Sequence, residues 1–164
     1  IHQLSFIEDP ARIIRAARFA GKLEFRIGRG TRKIMRSALQ LDIFRRFPTG
    51  RLFHEFDRVM EEERVPEIFL IMEKEGIIER LIRGIRVKGE FLNILYEVRN
   101  TLSWFRMLYT GEKIEEKFVY WIALADYLGE TKLKDLFTIL IPEKNFEEKL
   151  FRAIKRVKKL TGLF

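Results

Sequence analysis

The sequence contains no cysteine. That removes disulfides and thiolate zinc sites, and it fits a reducing cytosol, so a cytoplasmic location is expected. Histidine is nearly absent as well. His2 and His54 are the only two, too few for a histidine-based metal site, and no metal site is expected in this chain. Long apolar runs are lacking. The longest, Ile68 to Met72 and Phe118 to Ala125, fall far short of the ~20 residues that a membrane span needs, so no membrane partner is expected. There is no signal-peptide pattern. Small polar residues are few, while Glu, Lys and Arg are many, a balance that suggests a thermophilic source. No G-x-x-x-x-G-K phosphate loop occurs, and Gly28-Arg29-Gly30 is too short to serve as one.

What is present is a globular composition, 47% hydrophobic and 34% charged, long enough for one good core or two small subdomains. The net charge of +8 is uneven. Residues 1–58 hold 13 Lys and Arg against 6 Asp and Glu, whereas residues 59–164 hold 19 against 18. A second basic cluster, Arg152, Lys155, Arg156, Lys158 and Lys159, closes the chain. Basic charge gathered in this way points to a polyanion.

The pattern reads as all-α, a helical bundle with two possible subdomains, residues 1–84 and 85–164, meeting near Gly84 to Gly89. Asp9 is placed as an N-cap and Pro10 at the first helical position. That helix runs to about Phe25, burying Ile13, Ala16, Ala17, Ala20 and Leu23. Thr31 caps a second helix to about Leu41, and Pro48-Thr49 starts a third. Pro66 opens a short apolar helix that Gly76 closes, and residues 77–83 form another. Gly89 to Tyr109 is one long helix, Glu115 to Leu128 ends at Gly129, and Leu133 to Ile141 follows. Asn145 and Glu148 resemble a capping box opening a basic helix to about Leu160. Trp104, Phe105, Tyr109, Phe118, Tyr120 and Trp121 recur at helical spacing and are assigned to packing.

The densest chemistry lies in Glu8-Asp9-Pro10-Ala11-Arg12, followed by Arg15 and Arg18. One reading is a capped helix with a solvated basic face. The other is a base reader. Cytosine N4 and adenine N6 are amino donors, where uracil and guanine carry carbonyls. An aspartate accepts from the amino group, and an arginine three residues on donates to the neighbouring ring nitrogen. Asp9 and Arg12 fit those roles. Glu8, four residues before Arg12, is placed to hold its guanidinium. Arg15, Arg18 and Lys22 continue a basic stripe toward phosphate. Further on, Arg51 and Glu55 are four apart and are expected to pair on one helix face as a buttress.

These residues closely resemble the E-D-x-x-R-x-x-R-A-x-R-F motif of the bacterial tRNA nucleotidyltransferase and poly(A) polymerase family, the class II CCA-adding and A-adding enzymes. Phe6 precedes the acidic pair, as is usual there. Ala16, Arg18, Phe19, Phe25 and Ile27 extend the match, and Thr31 and Ile34 resemble the segment that follows. Gly50-Arg51-Leu52-Phe53-His54-Glu55 is similar to G-x-R-x-x-x-E, and Glu75-Gly76-Ile77-Ile78 to an E-x-G-hydrophobic turn. The resemblance covers roughly residues 4–82. Ala20-Gly21-Lys22-Leu23-Glu24 departs from it, with glycine where many members carry a longer side chain, and Phe56 replaces a common leucine.

The resemblance implies a neck, body and tail portion that selects CTP or ATP through Glu8, Asp9, Arg12, Arg15 and Arg18. It also implies tRNA as partner, with Lys22, Arg29, Arg32, Lys33, Arg152, Lys155 and Arg156 as candidate RNA contacts. Nucleotide addition needs metal-bridged phosphoryl transfer. The family's D-x-D pair, Gly-Gly phosphate loop and R-R-D motif do not occur here. No catalytic residue is therefore expected in this chain, and Mg2+ is expected on an upstream head domain. Glu55-Phe56-Asp57 is a poor clamp, because residues two apart on a helix diverge, and Glu61-Glu62-Glu63 reads as a solvated face. The alternatives are a poly(A) polymerase fragment, a stand-alone helical nucleic-acid-binding module and an oligomerisation bundle built on the aromatic second half.

Overall fold

The computed structural model describes residues 4–108, 111 and 113–162, and within them there are helices and no strands. The order is α1 (Ser5–Glu8), α2 (Ala11–Lys22), α3 (Arg29–Gln40), α4 (Ile43–Arg46), α5 (Gly50–Val59), α6 (Val65–Lys74), α7 (Ile77–Leu81), α8 (Glu90–Met107), α9 (Glu116–Leu140) and α10 (Lys144–Thr161). The all-α expectation is met. α5 has the N-cap that its sequence calls for: the Thr49 hydroxyl accepts from the Arg51 backbone N–H at 3.2 Å. Pro66 lies in the first turn of α6, where its missing N–H costs nothing.

Several boundaries differ from expectation. A separate short helix, α1, precedes Asp9, so Asp9 ends one helix and leads into the next with extended backbone, φ −141° and ψ 89°. Its side chain makes no cap bond. The Arg12 N–H is satisfied instead by the Asp9 carbonyl at 3.1 Å. α2 stops at Lys22, leaving Leu23 and Phe25 exposed, and α3 opens two residues before Thr31, with Gly28 as its cap. α10 begins at Lys144 behind Glu143, which places Asn145 inside the helix. α8 ends at Met107, while Tyr109 lies outside the described residues.

The expected break at Gly129 is present: α9 is two helical segments that meet at that non-helical glycine (φ 71°, ψ 171°). That backbone conformation is open to glycine at little cost and strained for other residues. Beyond the kink, Leu133, Leu136, Phe137 and Leu140 return to the core.

That core is continuous across Gly84 to Gly89. Its centre is Trp121, fully buried, whose ring lies 5.8 Å from Phe53, 5.3 Å from Phe56 and 5.1 Å from Phe146 between centroids. The Trp121 indole N–H donates to Asp57 Oδ1 at 2.8 Å, which satisfies the one polar atom that burial would strand. Tyr120 is buried and Phe118 packs at the core's edge, as expected. Trp104 is not a core residue: it is 57% exposed. Periodicity marks a helix face without saying whether another element covers it.

α2 is the helix that this core positions most tightly. Ile13, Ile14, Ala17 and Ala20 are buried, and Gly21 lets α2 approach α6. A Cβ on Gly21 would lie 2.4 Å from Ile68 Cγ1 and 3.2 Å from Ile68 Cα. The glycine that departs from the family pattern is therefore matched by close contact with α6. Alanine gains about 1 kcal/mol of helix propensity over glycine, but overpacking here costs about 1–3 kcal/mol. Gly21→Ala is expected to lower the urea midpoint, and Ile68→Ala in the same chain to return part of the loss relative to Ile68→Ala alone.

Candidate functional site

The bend between α1 and α2 sets the site. Because Asp9 is non-helical, Glu8 and Arg12 do not share a helix, and the expected Glu8–Arg12 pair does not form. Glu8 is exposed. Arg12 turns to Asp9 instead, its Nε 3.6 Å from Oδ2. Arg51, from the first turn of α5, brings its Nη1 to 3.4 Å from the same Oδ2. Asp9 is thus a largely covered carboxylate, with 18% of its side chain exposed, between two more exposed guanidinium groups.

α2 has two unlike faces. Arg12, Arg15, Phe19 and Lys22 lie on the exposed side, whereas Ile14, Arg18 and Gly21 lie on the buried one. The stripe of three arginines is therefore divided. Arg18 is only 7% exposed. Its Nη1 donates to Glu62 at 2.8 Å and its Nη2 to Glu55 at 3.4 Å, so it is an internal tie and not an open phosphate contact.

Glu55 is the hub. Its carboxylate is buried and accepts from Arg15 Nε at 3.0 Å and Nη2 at 2.5 Å, from Arg18, and from Arg58 Nη1 at 3.5 Å. The i,i+4 pair expected between Arg51 and Glu55 gives way to these longer-range partners, since Arg51 reaches Asp9 and Glu55 reaches α2. Burial by itself raises the Glu55 carboxyl, but the Arg15 hydrogen bond and the charges of Arg15, Arg18 and Arg58 outweigh it and hold the group below its ordinary range. The same bond raises Arg15 further.

Glu62, expected on a solvated face, is instead mostly covered and takes both Arg18 and Lys22, the latter at 3.0 Å. Asp57 takes Trp121 and Lys117, each at 2.8 Å. These carboxylates are committed to cations or to an indole. Among the described residues no three Asp, Glu, His or Cys side chains gather into a cation site.

Of the candidate RNA contacts, Arg32 is committed to the fold. Its Nε lies 2.9 Å and 3.0 Å from the two oxygens of buried Glu75, beside Arg36 at 3.3 Å. Arg29 and Lys33 on α3 are exposed, and so are Arg152, Lys155 and Arg156 on α10. Arg152 donates to the Glu148 carbonyl at 3.2 Å. No helix among the described residues is long and apolar enough to cross a membrane.

No family model matches the chain. It is 35% identical over 128 residues to the A-adding tRNA nucleotidyltransferase of Aquifex aeolicus, covering 78% of this chain and 16% of that protein. It is 31% identical over 150 residues to the A-adding tRNA nucleotidyltransferase of Geobacter sulfurreducens, covering 92% of this chain and 17% of that one. In structure it superposes with a TM-score of 0.76 and 30% identity on a tRNA nucleotidyltransferase complexed with a primer tRNA and an incoming ATP analog, over 98% of this chain and 46% of that one. The chain belongs to the tRNA nucleotidyltransferase family.

Within that family it spans only 16–17% of the two curated relatives. The fold alone extends further, to a Thermotoga maritima CCA-adding enzyme complexed with tRNA, at 21% identity and a TM-score of 0.74. The nucleotidyltransferase motif residues gather where α1, α2 and α5 meet. Sequence reasoning missed the Arg51–Asp9 contact and the role of Glu62. The paired residues are 42 and 44 positions apart, and no local spacing rule reaches that far.

Proposed function

We propose that this chain is the helical part of a template-independent tRNA nucleotidyltransferase that adds C, A or both to the tRNA 3′ end. It selects the base of the incoming CTP or ATP and holds part of the tRNA. The observation that carries this reading is the placement of Asp9 and Arg12 side by side at one helix entrance. The Asp9 carboxylate accepts from N4 of cytosine or N6 of adenine. The Arg12 guanidinium donates to the adjacent ring nitrogen. Uracil or guanine would set a carbonyl against a carboxylate and leave a covered polar group unpaired, which is a strong basis for rejection.

Arg15 supports the site through Glu55 and keeps an exposed edge toward solvent. Arg29, Lys33, Arg152, Lys155 and Arg156 supply cationic surface for the RNA backbone. Phosphoryl transfer and its Mg2+ belong to a head domain of the same polypeptide, outside this chain.

The test uses the full polypeptide that carries this chain, a tRNA trimmed at its 3′ end, and each nucleoside triphosphate in turn. Incorporation of A or C, with U and G excluded, is expected. Incorporation of all four with similar efficiency overturns the base-reading role. Long A tracts on RNAs other than tRNA would favour poly(A) synthesis. Tight duplex-DNA binding with no nucleotide addition would favour the stand-alone binding module.

A further inference from the structure

We infer that Arg51 is a specificity-positioning residue for the nucleotide site, acting by reserving one oxygen of the Asp9 carboxylate. The inference rests on the base-reading assignment of Asp9.

A carboxylate has two oxygens and can swivel about its last bond, so an acceptor left alone presents either oxygen in many directions. Here both neighbouring cations approach the same oxygen. Arg12 Nε lies 3.6 Å and Arg51 Nη1 lies 3.4 Å from Oδ2. Oδ1 receives neither of them. The two arginines come from the first turns of different helices, α2 and α5, so they fix the plane of the carboxylate and not merely its charge. The result is a preset acceptor, with Oδ2 held by the protein and Oδ1 left for an exocyclic amino group.

Arg12 cannot do this alone and still serve the base. When its guanidinium turns to donate to the ring nitrogen, its long contact to Oδ2 is shared or released. Arg51 stays behind as the anchor. It is itself fixed at its backbone, since its N–H caps onto Thr49. Its side chain is 76% exposed, so the ion pair contributes little to folding. Its value lies in orientation.

This makes a prediction that neither a stabilising role nor a phosphate contact would make. The effect of Arg51 must depend on whether the base has an amino group for Oδ1. Purine riboside triphosphate is ATP without the 6-amino group and keeps the same ring nitrogen and phosphates. In the full polypeptide, Arg51→Ala is expected to raise KM for ATP about tenfold, roughly the scale of one misoriented hydrogen bond, and to leave KM for purine riboside triphosphate unchanged. Arg51→Lys, which keeps the charge on a single donor nitrogen, should recover part of the loss. Asp9→Ala is the control for the underlying reading and should remove the preference for ATP over the analogue.

If Asp9→Ala removes that preference and Arg51→Ala does not reduce it, the positioning role is wrong and the base-reading role stands. If Arg51→Ala weakens both nucleotides equally, Arg51 acts on something they share, and the positioning role is again wrong. If Asp9→Ala leaves the preference intact, the base-reading assignment itself fails, and this inference fails with it.

Discussion

Asp9→Ala in the full polypeptide is expected to reduce discrimination of A and C against U and G by about 100-fold or more, because sites built to hydrogen-bond a substrate group reject analogues lacking it by still larger factors. Two contributions combine. The acceptor for the amino group is lost, and so is the charge that repels a carbonyl in its place. Arg12→Ala is expected to fall less selectively. It removes the donor to the acceptor nitrogen of A and C, where uracil and guanine carry an N–H instead, and so lowers kcat/KM for A and C directly. The pair should be non-additive, since Arg12 and Asp9 lie 3.6 Å apart and contact one base edge. Single-nucleotide incorporation kinetics with all four triphosphates, on each single variant and the double, checks this. Asp9 ends α1 through its backbone N–H, and its side chain makes no cap bond, so its replacement by alanine carries little folding penalty. An unchanged melting temperature beside a collapsed selectivity is therefore the expected signature.

Glu55→Ala should act in the opposite way, on the fold first and on the site as a result. Removing the hub leaves Arg18 buried beside Glu62 alone and frees Arg15 from the carboxylate oxygen to which its Nε and Nη2 both donate. Breaking a buried ion pair by deleting one partner costs about 3–5 kcal/mol. Urea unfolding at neutral pH checks the size of the loss. Glu55→Gln keeps the shape without the charge and should fall between. The pH dependence supplies an independent test. The folded Glu55 carboxyl is held below its ordinary value. Its contribution is therefore fully present above the unfolded pKa of about 4.3 and is lost as pH falls through the folded value. The stability gap between wild type and Glu55→Gln should be widest near neutrality and close as the solution is acidified below about pH 5.

The sequence carried the identity of the site more clearly than its wiring. Glu8-Asp9-Pro10-Ala11-Arg12 located a helix entrance bearing a carboxylate and a guanidinium, and Thr49 located the start of α5. Both signals are local, written within one turn. Glu55 and Arg51 were visible as a spaced pair, but their partners were not. Their i,i+4 geometry permits a bond to each other, and it cannot reveal that α2 brings Arg15, and the bend before it Asp9, into competition for them. Burial had a similar limit. Trp104 and Trp121 both sit at helical spacing among apolar residues, yet one is exposed and the other is the centre of the core. The difference depends on α5 and α10 covering α9, a contact between distant parts of the chain. The break at Gly129 was legible, because its backbone conformation is one that glycine adopts at little cost.

The position of Trp121 has a consequence for the order of synthesis. It caps Phe53 and Phe56 on α5 and bonds Asp57, which lies 64 positions earlier. At about 5–20 residues per second, the ribosome takes roughly 3–13 s to make the intervening stretch. Throughout that interval α5 is complete in sequence but lacks its cover. The nucleotide-reading corner depends on α5 for both Arg51 and Glu55, so it is among the first parts of this chain to be translated and among the last to acquire its final support.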